Sequence, residues 1–188
     1  MSCAAEHFER LFASDPDPWH YRSDFQEQRR HHLLVSMLES PTYHRTFEPA
    51  CASGTLTGLL AERSFEVIAW DGSANAVRHA QDALTGRANV QISQGEVPAN
   101  WPDGTFDLIV LSDFLYYLPE NSIRTVAQKS RKSLAPGGTV MACHWRGIAH
   151  DFLTPGGEAV HRILVDELGG PNGPCFCDRR QEIAGWLF

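Results

Sequence analysis

Two carboxylates define the chemistry this chain can do. Glu48 ends an apolar run and is followed by very small residues, Pro49-Ala50-Cys51-Ala52-Ser53-Gly54, before a helical pattern begins at Thr55. Asp71 closes the next apolar run, Phe65-Glu66-Val67-Ile68-Ala69-Trp70-Asp71, and is followed by Gly72. If the two runs are neighbouring strands of a doubly wound sheet, both carboxylates lie at its carboxyl edge, where such sheets bind ligands. Small residues between strand and helix let a ligand approach the backbone and meet the helix N-terminus. Asp71 can accept two hydrogen bonds from a ribose diol. The expectation is a nucleoside-containing cofactor.

A dinucleotide loop needs G-x-G-x-x-G to admit a pyrophosphate. Here Ala50 and Ala52 stand at two of the glycine positions and only Gly54 remains. Glu48 would repel a pyrophosphate but attract an amino-acid ammonium. An alanine at position 50 costs little at negative φ and is strained at positive φ.

The elements that must hold these residues alternate along the chain. Two helices lead, one from about residue 4 to 13 and one from about 23 to 38. Asp15-Pro16-Asp17-Pro18 separates them and Pro41 follows the second. Strands are expected over 44–49, 65–70, 89–93, 106–112 and 138–144, with helices over 55–63, 73–84, 120–133 and 156–168. Two short strands near 174–178 and 182–188 complete the pattern. Ser73 is a plausible N-cap, and Ala135-Pro136-Gly137-Gly138 is a tight turn. Alternation at this spacing predicts a mainly parallel seven-stranded sheet with helices on both faces: one Rossmann-like α/β domain spanning 1–188. His31 and His32 are expected as a solvated or lid-surface pair on the second helix.

Composition narrows the partners. A formal charge of −7 gives no general attraction to nucleic acid or an anionic membrane. Five cysteines with no secretory pattern favour a reducing, cytoplasmic setting. The stretch Met1-Ser2-Cys3-Ala4-Ala5-Glu6-His7 carries no signal-peptide pattern, and no apolar run approaches ~20 residues. No metal is expected, because Cys175-Phe176-Cys177 lacks zinc-ligand spacing.

The ordered set of segments resembles the class I S-adenosylmethionine-dependent methyltransferases. Their first motif is an acidic residue and a G-x-G-like turn, matched by Glu48, Ala50, Ala52 and Gly54; their second ends in an acidic residue, matched by Asp71. Gly95-Glu96-Val97 matches the pair that binds adenine, so the resemblance gives Glu96 and Val97 that role. Pro102-Asp103-Gly104-Thr105-Phe106-Asp107 leads into a fourth motif ending at Ser112 and Asp113, and Leu134-Ala135-Pro136-Gly137-Gly138 is similar to the family's L-x-P-G-G turn.

Nearer still, Pro18-Trp19 followed by Glu27-Gln28-Arg29-Arg30 resembles the nodulation protein S family, small bacterial methyltransferases that modify an amine of a chitooligosaccharide. That resemblance implies that residues 1–40 form a lid over a core of 44–188. Trp19 would lie over the methyl donor, and Arg29 or Arg30 would pair with its carboxylate.

The resemblance implies methyl transfer from S-adenosylmethionine to an N or O nucleophile of a small molecule. His144, at the end of the fifth strand, and Asp113 are the candidates to assist deprotonation; Ser112 lies where donor meets acceptor. Tyr116, Tyr117, Trp145 and His161 are candidate acceptor contacts. Two alternatives stand beside this reading: a cofactor-binding protein without transferase activity, and a nucleotide-dependent oxidoreductase.

Overall fold

A computed structural model describes residues 3–188. Met1 and Ser2, which open the stretch read above as carrying no signal peptide, lie outside the described residues. The chain divides into two compact units, one ending at Asn100 and one starting at Trp101.

The first unit begins with two helices, α1 (Cys3–Ser14) and α2 (Phe25–Ser36). Asp24 caps α2, accepting from the Gln26 and Glu27 amides, which satisfies two of the donors a helix start leaves open. Past its other end, Arg63 donates to the carbonyls of Val35, Leu38, Ser40 and Pro41, tying the connection down. The helix therefore stops at Ser36, two residues short of the expected end. His31 is buried against Tyr21, with ring centroids 5.2 Å apart, while His32 is exposed, so the expected surface pair is corrected for His31 and stands for His32. Successive helical residues are 100° apart around the axis, and only one of two neighbours faces inward.

Three parallel strands follow, in the order β3-β2-β1: β1 (Tyr43–Pro49), β2 (Ser64–Asp71) and β3 (Val90–Gln94). Helices α3 (Thr55–Ala61) and α4 (Ala74–Ala83) connect them. Phe47, Val67 and Ala69 are fully buried, as strands covered on both faces require. Ser73 caps α4 by accepting from the Ala76 amide at 3.1 Å, as its position predicted.

The second unit carries β4 (Phe106–Ser112), β5 (Leu134–Trp145), β6 (Cys175–Cys177) and β7 (Gln181–Leu187), in the order β4-β5-β7-β6. β4 and β5 are parallel; β7 runs antiparallel to β5, and β6 antiparallel to β7. Leu108 to Leu111 are buried, the continuous apolar run of a central strand. Helices α5 (Glu120–Lys132) and α6 (Gly156–Leu168) add Ile123, Val126, Val160 and Leu164 to this core. The proline-glycine turn falls within β5: pairing jumps from Phe106–Leu134 to Leu108–Thr139, so Ala135 to Gly138 bulge out of register. A short 3₁₀ turn, Leu115–Tyr117, follows β4. Its three residues are too few to leave a periodic signature in the sequence.

Candidate active site

In the first unit the turn after β1 is pinned to the end of β2. Cys51 donates its amide to the Trp70 carbonyl, and Ala52 donates to Asp71 Oδ2, both at 2.9 Å. Asp71 Oδ1 accepts from the Ser73 amide, also at 2.9 Å. The turn is left-handed three times over, at Ala50 (φ 57°), Ala52 (φ 50°) and Gly54 (φ 79°). Gly54 suits both its φ and its space, since an added Cβ would lie 3.0 Å from Leu84 and 3.1 Å from Ala80. The two alanines carry the strain that positive φ implies, about 1 kcal/mol each. Ala50→Gly and Ala52→Gly are therefore each expected to raise unfolding stability by up to about 1 kcal/mol in denaturant titrations. Loss of stability in both variants would mean that the loop does not hold these angles.

Glu48 and Asp71 are both buried, at 3% and 7% exposure. Burial pushes the Glu48 carboxyl up to about 8; the Thr57 hydroxyl opposes this and the Asp71 charge adds to it. Asp71 is pushed up to about 6, again by burial, with the Ser73 and Ala52 amides opposing and Glu9 adding. The Cys51 thiol between them is raised well above its ordinary range for the same reason.

These residues fit a nucleoside with an ammonium tail. Glu48 Oε2 is buried with no hydrogen-bond partner among the described residues, so it calls for a donor. The amides of Ala52 and Ser73 each occupy one acceptor site on a different Asp71 oxygen, leaving a second site on each for a diol.

The segment that follows β3 is tied to this corner. Gly95 donates to the Asp71 carbonyl at 2.9 Å, and Gln94 Nε2 donates to the Gly72 carbonyl at 2.9 Å. Gly95 packs so closely on the Trp70 ring that a Cβ there would clash. Glu96 follows, half-buried, and Val97 is buried. Asp71, Gly72, Glu96 and Val97 are thereby brought together.

The N-terminal candidates distribute differently. Trp19 sits half-buried among Phe8, Phe12 and Tyr21, stacking on Tyr21 at 5.6 Å. Arg30 is buried, pairs with Glu27 at 2.5 Å and lies over the Tyr21 ring at 5.6 Å. Arg29 is half-buried. A basic residue that sequence reasoning missed reaches the turn after β1: Arg22 Nη2 donates to the Ser53 carbonyl at 3.4 Å. It stands in a loop, where no periodicity says which way a side chain turns.

The second unit gathers the remaining candidates. Asp113 follows β4 at φ 52°, and its Oδ1 accepts from the Tyr116 hydroxyl at 2.8 Å and the Trp145 amide at 2.7 Å. Ser112 pairs in register with Cys143 of β5. Tyr117 and Trp145 both contact Phe152, which also stacks on Tyr116 at 4.0 Å. Phe152 is a contact that sequence reasoning missed, although it lies in the 146–155 segment linking β5 to α6. Burial lifts the Tyr117 hydroxyl above its ordinary range.

His144 is fully buried, edge-on to Tyr116 at 5.7 Å, and its Nδ1 lies 3.3 Å from His161 Nε2. Burial, then the neighbouring His144, push His161 down to about 3, so it is neutral at physiological pH. Its Nδ1 faces Glu182 Oε1 at 3.7 Å. A carboxylate on that side favours the Nδ1–H tautomer. His161 Nε2 then accepts from His144 Nδ1–H, which places the basic nitrogen of His144 at Nε2. Glu182, also missed in the sequence, orients this pair from β7.

Residues 47–138 match the family described as a methyltransferase domain. Nodulation protein S from Rhizobium tropici is 30% identical over 168 residues, covering 85% of this chain and 68% of that protein. This chain belongs to the nodulation protein S family of methyltransferases. A second family member, from Sinorhizobium fredii, is 29% identical over 125 residues, 65% of this chain and 57% of that protein. The crystal structure of N-methyltransferase NodS from Bradyrhizobium japonicum WM9, in complex with S-adenosyl-L-homocysteine, superposes with a TM-score of 0.84. It is 25% identical, and the match covers 99% of this chain and 98% of that one. The fold is the class I methyltransferase fold, a seven-stranded, mainly parallel sheet among helices. The protein is an S-adenosylmethionine-dependent methyltransferase, which sets aside both the oxidoreductase and the inactive-binder readings. No helix among the described residues is long and apolar enough to cross a membrane.

Proposed function

We propose that this methyltransferase modifies an amine nitrogen of a small molecule, an amino sugar or a short oligosaccharide bearing one. Bound S-adenosylmethionine supplies an electrophilic methyl on a sulfonium, so the chain chiefly binds, aligns and excludes water. Asp71 holds the ribose diol, Glu48 the ammonium, and Glu96 with the Val97 amide the adenine. Ala50, Ala52, Gly54 and Gly72 form the close backbone walls. Trp19 covers the donor, and a basic residue of the leading segment (Arg22, Arg29 or Arg30) meets its carboxylate. Residues 1–188 act as one methyltransferase domain, with 1–40 as the covering segment and 44–188 as the core.

On the acceptor side, Ser112 and Asp113 stand at the carboxyl end of β4. Asp113 is half-buried, with its Oδ2 enclosed, whereas His144 is fully buried. Asp113, at the end of β4 and held by the Tyr116 hydroxyl and the Trp145 amide, is the group that binds the amine and takes its proton, while His144 and His161 support Tyr116 from behind. Tyr117, Trp145 and Phe152 give the apolar wall a sugar ring stacks on.

The observation that carries this reading is the Asp113 carboxylate, fixed by two hydrogen bonds beside that aromatic cluster. The net charge of −7 agrees with a small-molecule partner rather than nucleic acid, and the five cysteines with a cytoplasmic setting.

The test is transfer of labelled methyl from S-adenosylmethionine to a chitooligosaccharide with one free amine, against its fully N-acetylated counterpart. Label in the free-amine compound alone is expected. Equal labelling of the acetylated compound would move the reading to O-methylation.

A further inference from the structure

The first helix is wired to the second-strand carboxylate by a continuous hydrogen-bond chain. Ser73 Oγ donates to Glu9 Oε2 at 2.6 Å, and the Asn75 amide donates to the same oxygen at 3.2 Å. Asn75 Nδ2 donates to Glu9 Oε1 at 2.7 Å and meets the Glu9 carbonyl at 3.4 Å. Ser73 in turn donates its amide to Asp71 Oδ1, and the other Asp71 oxygen accepts from Ala52 in the cofactor turn. The hydrogen bond from Ser73 holds the Glu9 carboxyl below its ordinary range, so Glu9 is an anion. The Glu9–Ser73, Ser73–Asp71 and Asp71–Ala52 links run from 2.6 to 2.9 Å, each with a defined donor, and the serine and aspartate at the centre are buried. A chain of this kind fixes the orientation of its last member.

We infer that Glu9 is a positioning residue of the cofactor site, acting through Ser73 on Asp71. The inference rests on the reading of Asp71 as the ribose acceptor. It gives α1 a duty other than covering the donor: it braces the turn from β2 into α4. A second contact supports the brace, since His79 Nε2 of α4 lies 3.0 Å from the Phe12 carbonyl of α1. The charged and titratable groups around Asp71 are Glu48 on β1, Cys51 in the turn and Glu9 on α1, and Arg78 on α4 acts on Glu9. Among them Glu9 is the one joined to Asp71 through a single residue.

Glu9 acts in two separable ways. Its hydrogen bonds orient Asp71, which favours cofactor binding at every pH. Its negative charge opposes ionisation of Asp71, which weakens binding only where Asp71 is partly protonated. Glu9→Gln both weakens those hydrogen bonds and removes the charge, so it must weaken binding at alkaline pH and shift the acid limb of the binding curve to lower pH.

The experiment measures S-adenosylhomocysteine affinity by calorimetry from pH 5 to 8.5 for wild type, Glu9→Gln, Asn75→Ala and Asp71→Asn. Circular dichroism and thermal melts confirm folding. Glu9→Gln is expected to bind about 3–10-fold more weakly at pH 8.5, the usual worth of one charged hydrogen bond. Its acid limb should lie at lower pH than that of wild type. Asn75→Ala loosens the docking of α1 but leaves the Glu9–Ser73–Asp71 links, so its acid limb should stay in place.

If Glu9→Gln and Asn75→Ala lose affinity equally with unshifted limbs, Glu9 is only a docking contact and the inference is overturned. It is overturned as well if Glu9→Gln binds like wild type while Asp71→Asn binds poorly. If Asp71→Asn itself binds normally, the reading of Asp71 fails, and the inference fails with it. Should Glu9→Gln not fold, Ser73→Ala cuts the same link from the other side. It must then reproduce the loss of affinity at pH 8.5.

Discussion

Asp71→Ala is expected to weaken S-adenosylmethionine binding by about 10–150-fold, or ~1.5–3 kcal/mol, while the protein stays folded. A ribose diol gives two hydrogen bonds to a carboxylate that is already oriented by the Ala52 and Ser73 amides. Folding survives because the lost acceptor is offset by relief from burying a charge. Calorimetry on the folded variant checks the loss, and unchanged affinity would remove Asp71 from the site.

The raised carboxyls add a pH signature to the same experiment. In the folded protein Asp71 titrates near 6 instead of the ordinary 3.8, and Glu48 near 8 instead of 4.5. Both bind protons more tightly folded than unfolded. Their contribution to stability is therefore present at low pH and is lost as pH rises from about 4 to 6 for Asp71 and from about 4.5 to 8 for Glu48. Cofactor binding has the opposite demand, because the diol and the ammonium each need an ionised acceptor. Affinity should fall as pH drops below about 8, where Glu48 takes up its proton, and more steeply below about 6, where Asp71 does as well. Near neutrality, where Glu48 holds a proton, binding should release one. Calorimetry in buffers of different ionisation enthalpy reads that proton directly. Release of no proton in wild type and the same result in Glu48→Gln would detach Glu48 from the ammonium.

Asp113→Asn is expected to lower the rate of methyl transfer by about 10²–10⁴-fold with cofactor affinity unchanged. Asparagine tolerates the left-handed backbone at this position and keeps an acceptor for the Tyr116 hydroxyl and the Trp145 amide. The variant therefore changes charge and basicity with little change in shape. Single-turnover rates at saturating amine separate the possible roles. A fall in kcat with KM unchanged marks proton transfer. A higher KM with kcat intact marks positioning alone. Wild-type kinetics on both counts would take Asp113 out of the acceptor site and leave the His144–His161 pair as the group to test.

The strands, turns and caps of the first half of the chain were legible because their signals are local. Glu48, the small residues through Gly54, Asp71 and the Ser73 cap lie on continuous segments whose period and composition dictate strand, turn and helix. The left-handed angles at Ala50 and Ala52 mark the limit of that legibility, since alanine by itself argues against them. They follow from anchoring the turn to Trp70 and Asp71 of the next strand.

The links that orient the functional groups were not legible. Glu9 meets Ser73 across 64 positions, Arg22 meets Ser53 across 31, and His144 meets His161 across 17. His144 is the clearest instance. Its place after an apolar strand predicted the carboxyl edge correctly, yet α6 and the 3₁₀ turn enclose it, and the edge is presented by Asp113, Trp145 and Phe152 instead. Local sequence determined which elements form and which residues stand at their ends, because backbone propensity and hydrophobic period act over a few residues. Which of those end residues touch one another was decided only in the tertiary structure. There, loop paths and packing bring distant side chains within hydrogen-bond reach, and burial then alters their charge.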